Sequence, residues 1–278
     1  MLTSFVLSAT HEAGWEIPRE ARERMLAGLS NFVSGKLTQR YDYYRNDSME
    51  LTERKILALD ALSRYNYAPP ELAESLQLDL SKLSTHALTV WVRTVHRSTW
   101  PRRDALLKPA LVELKQRYRI TAQGLELRNQ GNEDRWWLMY ASDVTVVKLI
   151  LTALDVPALQ ADLDGIVRGA IARQRHGHWQ TTQANVWGSL ALDKYALHAA
   201  KSQLSGKTVL HFGDQRREVD WATSAQGEHF VIPFTAERAT LRLEHQGKGV
   251  PYVQVLATGY GELNQPSYHG IKVEKTLT

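Results

Sequence analysis

Cysteine is absent from all 278 residues, so the chain can form no disulfide, carry no thiol nucleophile and offer no thiolate to a metal ion. No stretch reaches the ~18–20 continuous apolar residues of a membrane span, and the opening Met1-Leu2-Thr3-Ser4-Phe5 lacks the basic segment of a signal peptide. A large excess of one charge is also missing. Lys and Arg number 34 against 30 Asp and Glu, a net +4. From Gly206 onward the two signs balance at eight each, so the excess falls on the helical part before it, where it is diffuse. A nucleic-acid partner would need a concentrated basic stripe, and none is expected.

What is present is ordinary globular material, 43% hydrophobic and 23% charged, in a chain long enough for two domains. From Leu2 to about Leu204 apolar residues recur every three or four positions, which predicts successive amphipathic helices in hairpins of similar length. The first runs from Leu2 towards Gly14. The second opens at Pro18 and buries Met25, Leu26, Leu29, Phe32 and Val33. Asp47 and Glu50 form a candidate capping box before Ile56, Leu57, Leu59, Ala61 and Leu62, and Pro69-Pro70 is expected to end that helix. Helices are expected at Glu71–Leu76, Leu83–Val95, Arg103–Tyr118, Asp143–Leu154, Pro157–Arg173 and Thr182–Leu204, with a small hairpin over Ile120–Asn129. Past Gly206 the period becomes two, over Val209–Phe212, Glu218–Trp221, Phe230–Ile232, Leu241–Leu243, Tyr252–Leu256 and Ile271–Val273, with glycine turns between. The expected fold is multidomain α and β: helical hairpins over 1–204, then an antiparallel β-sandwich over 205–278. An abrupt start inside an amphipathic pattern and a stop on a strand-like run read as a piece of a longer protein.

Chemistry is sparse. His176-Gly177-His178 is the most metal-like cluster, but no third ligand is near in sequence, so it reads as a turn and no metal or cofactor is expected. There is no Gly-x-Ser-x-Gly elbow. Gly247-Lys248-Gly249 precedes a strand and lacks a Lys-Ser or Lys-Thr ending, which makes it a hairpin turn and not a phosphate loop. Asp162 and Asp164 point to different helix faces, with Arg168 placed to pair with Asp164. Trp91, Trp136, Trp137, Trp179 and Tyr140 are either core fillers or sugar platforms.

Three stretches carry a resemblance. The first is Leu2-Thr3-Ser4-Phe5-Val6-Leu7 with Ala13-Gly14-Trp15-Glu16-Ile17-Pro18. The second joins Asp143–Leu149 to Gly177-His178-Trp179-Gln180-Thr181-Thr182-Gln183-Ala184-Asn185 and Leu190–Tyr195. The third is Gln246–Val255, with Gly247, Gly249 and Tyr252, followed by Tyr268–Lys275. Together they resemble the alpha-2-macroglobulins, bacterial members above all.

The resemblance implies the later part of an α/α-toroid thioester-type domain and the CUB-like β-domain after it, up to the start of a next domain. It implies no enzyme, but part of a periplasmic protease-trapping inhibitor whose parent is anchored at the inner membrane. The implied partners are target proteases and a peptidoglycan synthase (penicillin-binding protein). Gly177, Trp179, Thr181, Thr182 and Gln183 would be the segment opening the last core helix. Independently of any family, Gly177 permits a turn, Trp179 can plug a core, and a Thr181 or Thr182 hydroxyl can cap a helix. The family's Cys-x-Glu-Gln thioester is missing: either it lies upstream or the parent belongs to the bacterial subclass without one. The competing expectation is a carbohydrate-active α/α-toroid enzyme or glycan-binding module.

Overall fold

The computed structural model describes residues 1–37, 48–121, 124–128, 140–201, 204–232, 240–249, 251, 253 and 255. The chain divides into two compact units, Met1–Lys201 and Ser202–Thr278, one helical and one built of antiparallel strands.

The helical unit opens with α1 (Leu2–Glu12), α2 (Arg19–Val33) and α3 (Ser48–Arg64). Pro18 sits at the N-cap of α2, where its missing N–H costs nothing. The Asp47 half of the expected capping box lies outside the described residues. Pro69-Pro70 does not end α3, which stops at Arg64 and turns through Asn66 at φ 55°. The prolines instead begin the short α4 (Pro70–Glu74), Pro70 in its first turn, because a fixed φ suits a helix start better than a helix end.

A 3-10 turn at Leu80–Lys82 leads to α5 (Thr85–Arg97), whose start is capped by Ser84 Oγ accepting from the Ala87 N–H at 3.1 Å. Every residue from Thr85 to Val95 is buried, so α5 is the central helix of the unit. Next come α6 (Arg103–Gln116), β1 (Tyr118–Thr121), β2 (Gly124–Leu127) and α7 (Ser142–Asp155). The expected helix from Pro157 to Arg173 is split into a 3-10 segment, Pro157–Asp162, and α8 (Leu163–Ala172). The last helix, α9, spans Thr182–Lys201. Leu7, Ile56, Leu59, Leu62, Leu88, Trp91, Leu149 and Trp187 are almost completely buried, each worth roughly 1.5–3 kcal/mol of transfer free energy.

The β1–β2 hairpin lies flat on α8 because α8 presents glycines there. A Cβ on Gly165 would stand 2.5 Å from Ile120, and one on Gly169 2.5 Å from the Leu125 nitrogen. Gly124, at φ 121°, meets the Gly169 backbone on the same seam.

In the second unit β3 (Ser205–Phe212) is the middle strand of the order β4-β3-β5, between β4 (Gln215–Asp220) and β5 (Leu241–Lys248). Gly206 faces Gly247 across β3–β5. A Cβ on Gly247 would sit 1.8 Å from the Ser205 carbonyl oxygen, so only glycine admits this approach. Phe230–Ile232, expected as a strand, is irregular, and Val231 is 82% exposed. Its apolar run has nothing to bury it among the described residues. The expected strand Ile271–Val273 lies outside the described residues, as do Tyr252, Gln254 and Leu256 of the expected strand Tyr252–Leu256, of which only Val253 and Val255 are described.

Candidate functional site

Charged side chains are buried where five helices meet. Glu12, at the end of α1, accepts from Arg93 of α5 through both guanidinium nitrogens at 2.7 and 2.9 Å, from Arg64 of α3, and from Lys194 of α9. Asp60 of α3 accepts from Ser8 at 3.0 Å, Arg64 at 3.1 Å, Thr94 at 3.3 Å and Arg97 at 2.6 Å. Arg93 also holds Asp155, the last residue of α7, at 2.6 Å. Glu12 and Asp60 are 2% and 4% exposed by side chain, so neither is solvated by bulk water.

Burial alone would raise both carboxyls. The guanidinium groups reverse this: Arg93, Arg64 and Lys194 hold Glu12 well below the usual carboxylate range, and Arg64 and Arg97 do the same for Asp60. Both are therefore ionised at every ordinary pH. Stripping such a group of its partners costs about 3–5 kcal/mol, because it is then left charged and unpaired in the interior.

Lys148 of α7 points its ammonium over the Trp187 indole of α9, 4.3 Å from the ring centroid. Burial, with the charges of Arg64 and Arg93 and against the pull of Asp60, pushes it down to about 8. His86 of α5, stacked at 4.1 Å on Tyr140, is driven well below its ordinary value by burial and by Lys148, so its ring is neutral. Met1, Ser4, Asp60, His86, Lys148 and Gln183 are among the residues around a cavity of about 30 Å³, with Trp187 on its apolar side.

The sequence-derived segment is largely a scaffold beside this site. His176 and Gly177 have φ 53° and 79°, and Arg175 pairs with His178, which makes a tight two-residue turn. Both histidines are exposed, and among the described residues no group of three His, Asp or Glu could hold a metal. Trp179 is buried and its indole N–H donates to the Ala170 carbonyl at 2.9 Å. Its ring lies on Gly188, where a Cβ would come within 2.2 Å. The Thr181 hydroxyl, not that of Thr182, caps α9 by accepting from the Ala184 N–H at 3.2 Å. Asn185 grips the turn, accepting from the Trp179 N–H at 3.0 Å and donating to its carbonyl at 2.8 Å. Thr182 begins α9, and Gln183 reaches the cavity. Gly247 lies in β5, with Gly249 just beyond it at φ 86°; Tyr252 is outside the described residues.

Trp91, Trp179 and Tyr140 are 2%, 3% and 2% exposed, so none can serve as a sugar platform; Trp136 and Trp137 fall outside the described residues. Asp162 and Asp164 accept from Tyr118 and Tyr195 hydroxyls at 2.8 and 2.9 Å, a different arrangement from the expected Asp164–Arg168 pair. The buried network escaped the sequence reading. Its signal was there: Asp60, Arg93 and Lys148 each interrupt an otherwise apolar helical run.

No family model and no curated protein matches the chain. Solved structures do. Escherichia coli alpha-2-macroglobulin from domain MG7 to the C-terminus superposes with a TM-score of 0.56 at 15% identity, over 88% of this chain and 34% of that one. Salmonella alpha-2-macroglobulin reacted with methylamine gives 0.53 at 15%, over 87% and 14%. The Escherichia coli protein activated by porcine elastase gives 0.50 at 14%, over 84% and 18%. At such identity the likeness is one of fold, and the chain spans between about a seventh and a third of those proteins.

Proposed function

We propose that the chain is a segment of a bacterial alpha-2-macroglobulin-like protein and serves as a non-catalytic scaffold within a protease trap. The observation that carries this reading is the fold likeness over 87–88% of the chain to structures from two bacteria. In this reading residues 1–204 are the later part of a thioester-type α/α toroid and 205–278 a CUB-like β-sandwich domain that ends where a next macroglobulin domain begins. Gly177, Trp179, Thr181, Thr182 and Gln183 set the start of its closing helix, and Gly247, Gly249 and Tyr252 belong to a turn and strand of the β-domain. The protein works in the periplasm, its parent held at the inner membrane, and a peptidoglycan synthase is a further partner.

The chain's own contribution is rigidity. A trap that rearranges after a bait segment is cut needs parts that move as bodies, and a network tying α1, α3, α5, α7 and α9 suits one such body. Since this chain has no cysteine, any thioester belongs to another part of the parent.

The test is to mix the full-length parent with porcine elastase and follow it by native and denaturing electrophoresis. A trap retains the elastase in a complex of altered mobility, and a thioester adds a covalent adduct that methylamine pretreatment abolishes. Degradation of the parent with free, fully active elastase would overturn the reading. The competing carbohydrate-active reading loses support because Trp91, Trp179 and Tyr140 are buried.

A further inference from the structure

We propose that the cavity beside Lys148 is a binding site for a small monovalent anion of chloride size. Three groups around it can donate hydrogen bonds and, among the described residues, make none: the Lys148 ammonium, the Ser4 hydroxyl and the Gln183 amide. Lys148 is part-buried, and its ammonium, lying over an indole face, has no protein acceptor of its own among the described residues, which favours an occupant in the space in front of it.

The carboxylate nearest at hand is already engaged. Asp60 borders the cavity but accepts from Ser8, Arg64, Thr94 and Arg97, two of them cations. Charge then decides what the occupant is. Arg64, Arg93, Arg97, Lys148 and Lys194 are set against Glu12, Asp60 and Asp155 in the network, so positive charge is in excess there, and a water molecule would leave it uncompensated. An anion supplies both the acceptor and the missing charge. The volume, about 30 Å³, suits a halide or a water molecule or two and is small for a sugar acid or a phosphate ester.

Asp60 and Arg64 from α3, Arg93 from α5 and Glu12 from α1 bear on the titration of Lys148, His86 of α5 is itself pushed down by Lys148, and Arg97 and Lys194 reach the same network through Asp60 and Glu12. Of these, His86 is neutral and the carboxylates are fixed as anions. The Met1 α-amino group, at the Met1 border of the cavity, is also pushed below its ordinary value, by burial and by Arg54. Lys148 is charged below about 8, so anion binding belongs to the acid side of that value and takes up a proton when it occurs above it.

The experiment is a thermal unfolding titration of the 278-residue chain, replacing sodium gluconate by sodium chloride at constant ionic strength. Gluconate is too large to enter. At pH 7 the midpoint of the helical unit should rise by ~2–4 °C and saturate; at pH 9.5 the rise should vanish, and in Lys148→Met it should be absent at both. The milder Ser4→Ala variant, which keeps the cation and the fold, should need several-fold more chloride for the same rise. In crystals grown in bromide, an anomalous peak should lie between Lys148, Ser4 and Gln183. An equal chloride response in wild type and Lys148→Met, no response in wild type, or a cavity holding water alone in bromide would each overturn the proposal. A chloride response that survives Lys148→Met but is lost when residues are added before Met1 would assign the anion to the α-amino group instead, and overturn it equally.

Discussion

The two units of this chain hold themselves together by different means. In the helical unit apolar side chains vanish into a common interior, and charges follow them in as a network satisfied by guanidinium groups. In the strand unit, among the described residues, only Val219 and Thr208 are buried. There the stabilising features are backbone pairing along β3, a glycine-to-glycine approach, and a small cluster in which the Trp221 indole donates to Thr208 at 2.7 Å while Thr208 bonds His245 at 2.9 Å. A helix satisfies its own backbone and must spend its side chains on packing; a strand needs its neighbours for the backbone itself. Damage to side chains should therefore tell most on the first unit, and damage to backbone approach on the second.

The strongest way to break this contrast is Arg93→Met. It takes from Glu12 its two-nitrogen partner, leaving Arg64 and Lys194, and frees the half-exposed Asp155, and should lower the stability of the helical unit by about 3 kcal/mol in urea unfolding. With fluorinated tryptophans, the Trp187 and Trp179 signals should shift their midpoints while that of Trp221 stays put. If Trp221 moves with them, the units unfold as one and the contrast fails.

Gly247→Val is the converse. Its side chain would collide with the Ser205 carbonyl, so a loss of about 1–3 kcal/mol is expected, read from Trp221 and not from Trp187.

A pH series sharpens the contrast further. Lys148 is at about 8 when folded and 10.5 when unfolded, so between these values the unfolded chain holds the proton that the folded one has lost. Stability of the helical unit should therefore rise with pH across that window, by about 1–3 kcal/mol, measured in gluconate as the difference between wild type and Lys148→Met. A flat difference would mean that the ammonium is fully hydrated, and the strand unit should show no such dependence on this residue.

The smallest effect is that of Thr181→Ala. Losing the cap of α9 should cost about 1 kcal/mol and speed hydrogen exchange at the Ala184 amide while leaving β3–β5 unchanged.

Much of the element order was legible in the sequence. Spacing of three and four gave the helices, the Thr181-Thr182 pair gave the start of the last one, and the hairpin expected over Ile120–Asn129 stands in the structure two residues earlier, at Tyr118–Leu127. Two local readings misplaced boundaries. Proline is compatible with a helix start as well as hostile to a helix interior, so Pro70 alone does not tell which helix it belongs to. Phe230–Ile232 has the composition of a strand, yet a strand exists only where another offers its backbone. Of the candidate site, the segment from Gly177 to Gln183 was visible as a turn and a cap, but the charged interior was not. Glu12 meets Arg64, Arg93 and Lys194 across 52, 81 and 182 residues of chain, and no local pattern carries such a distance.

By itself, then, the sequence settled what each short stretch prefers: helices followed by strands, turns at particular glycines, and no thiol chemistry. These follow from forces that act within a few residues, namely backbone sterics, capping and the period of apolar positions. Only the tertiary structure decided that Gly188 must stay bare beneath Trp179, that Gly165 and Gly169 bed a hairpin, and that Lys148 sits with an excess of positive charge beside a small cavity. Those outcomes depend on which surfaces are brought together, and excluded volume and Coulomb forces between distant segments have no value until the chain has closed around them.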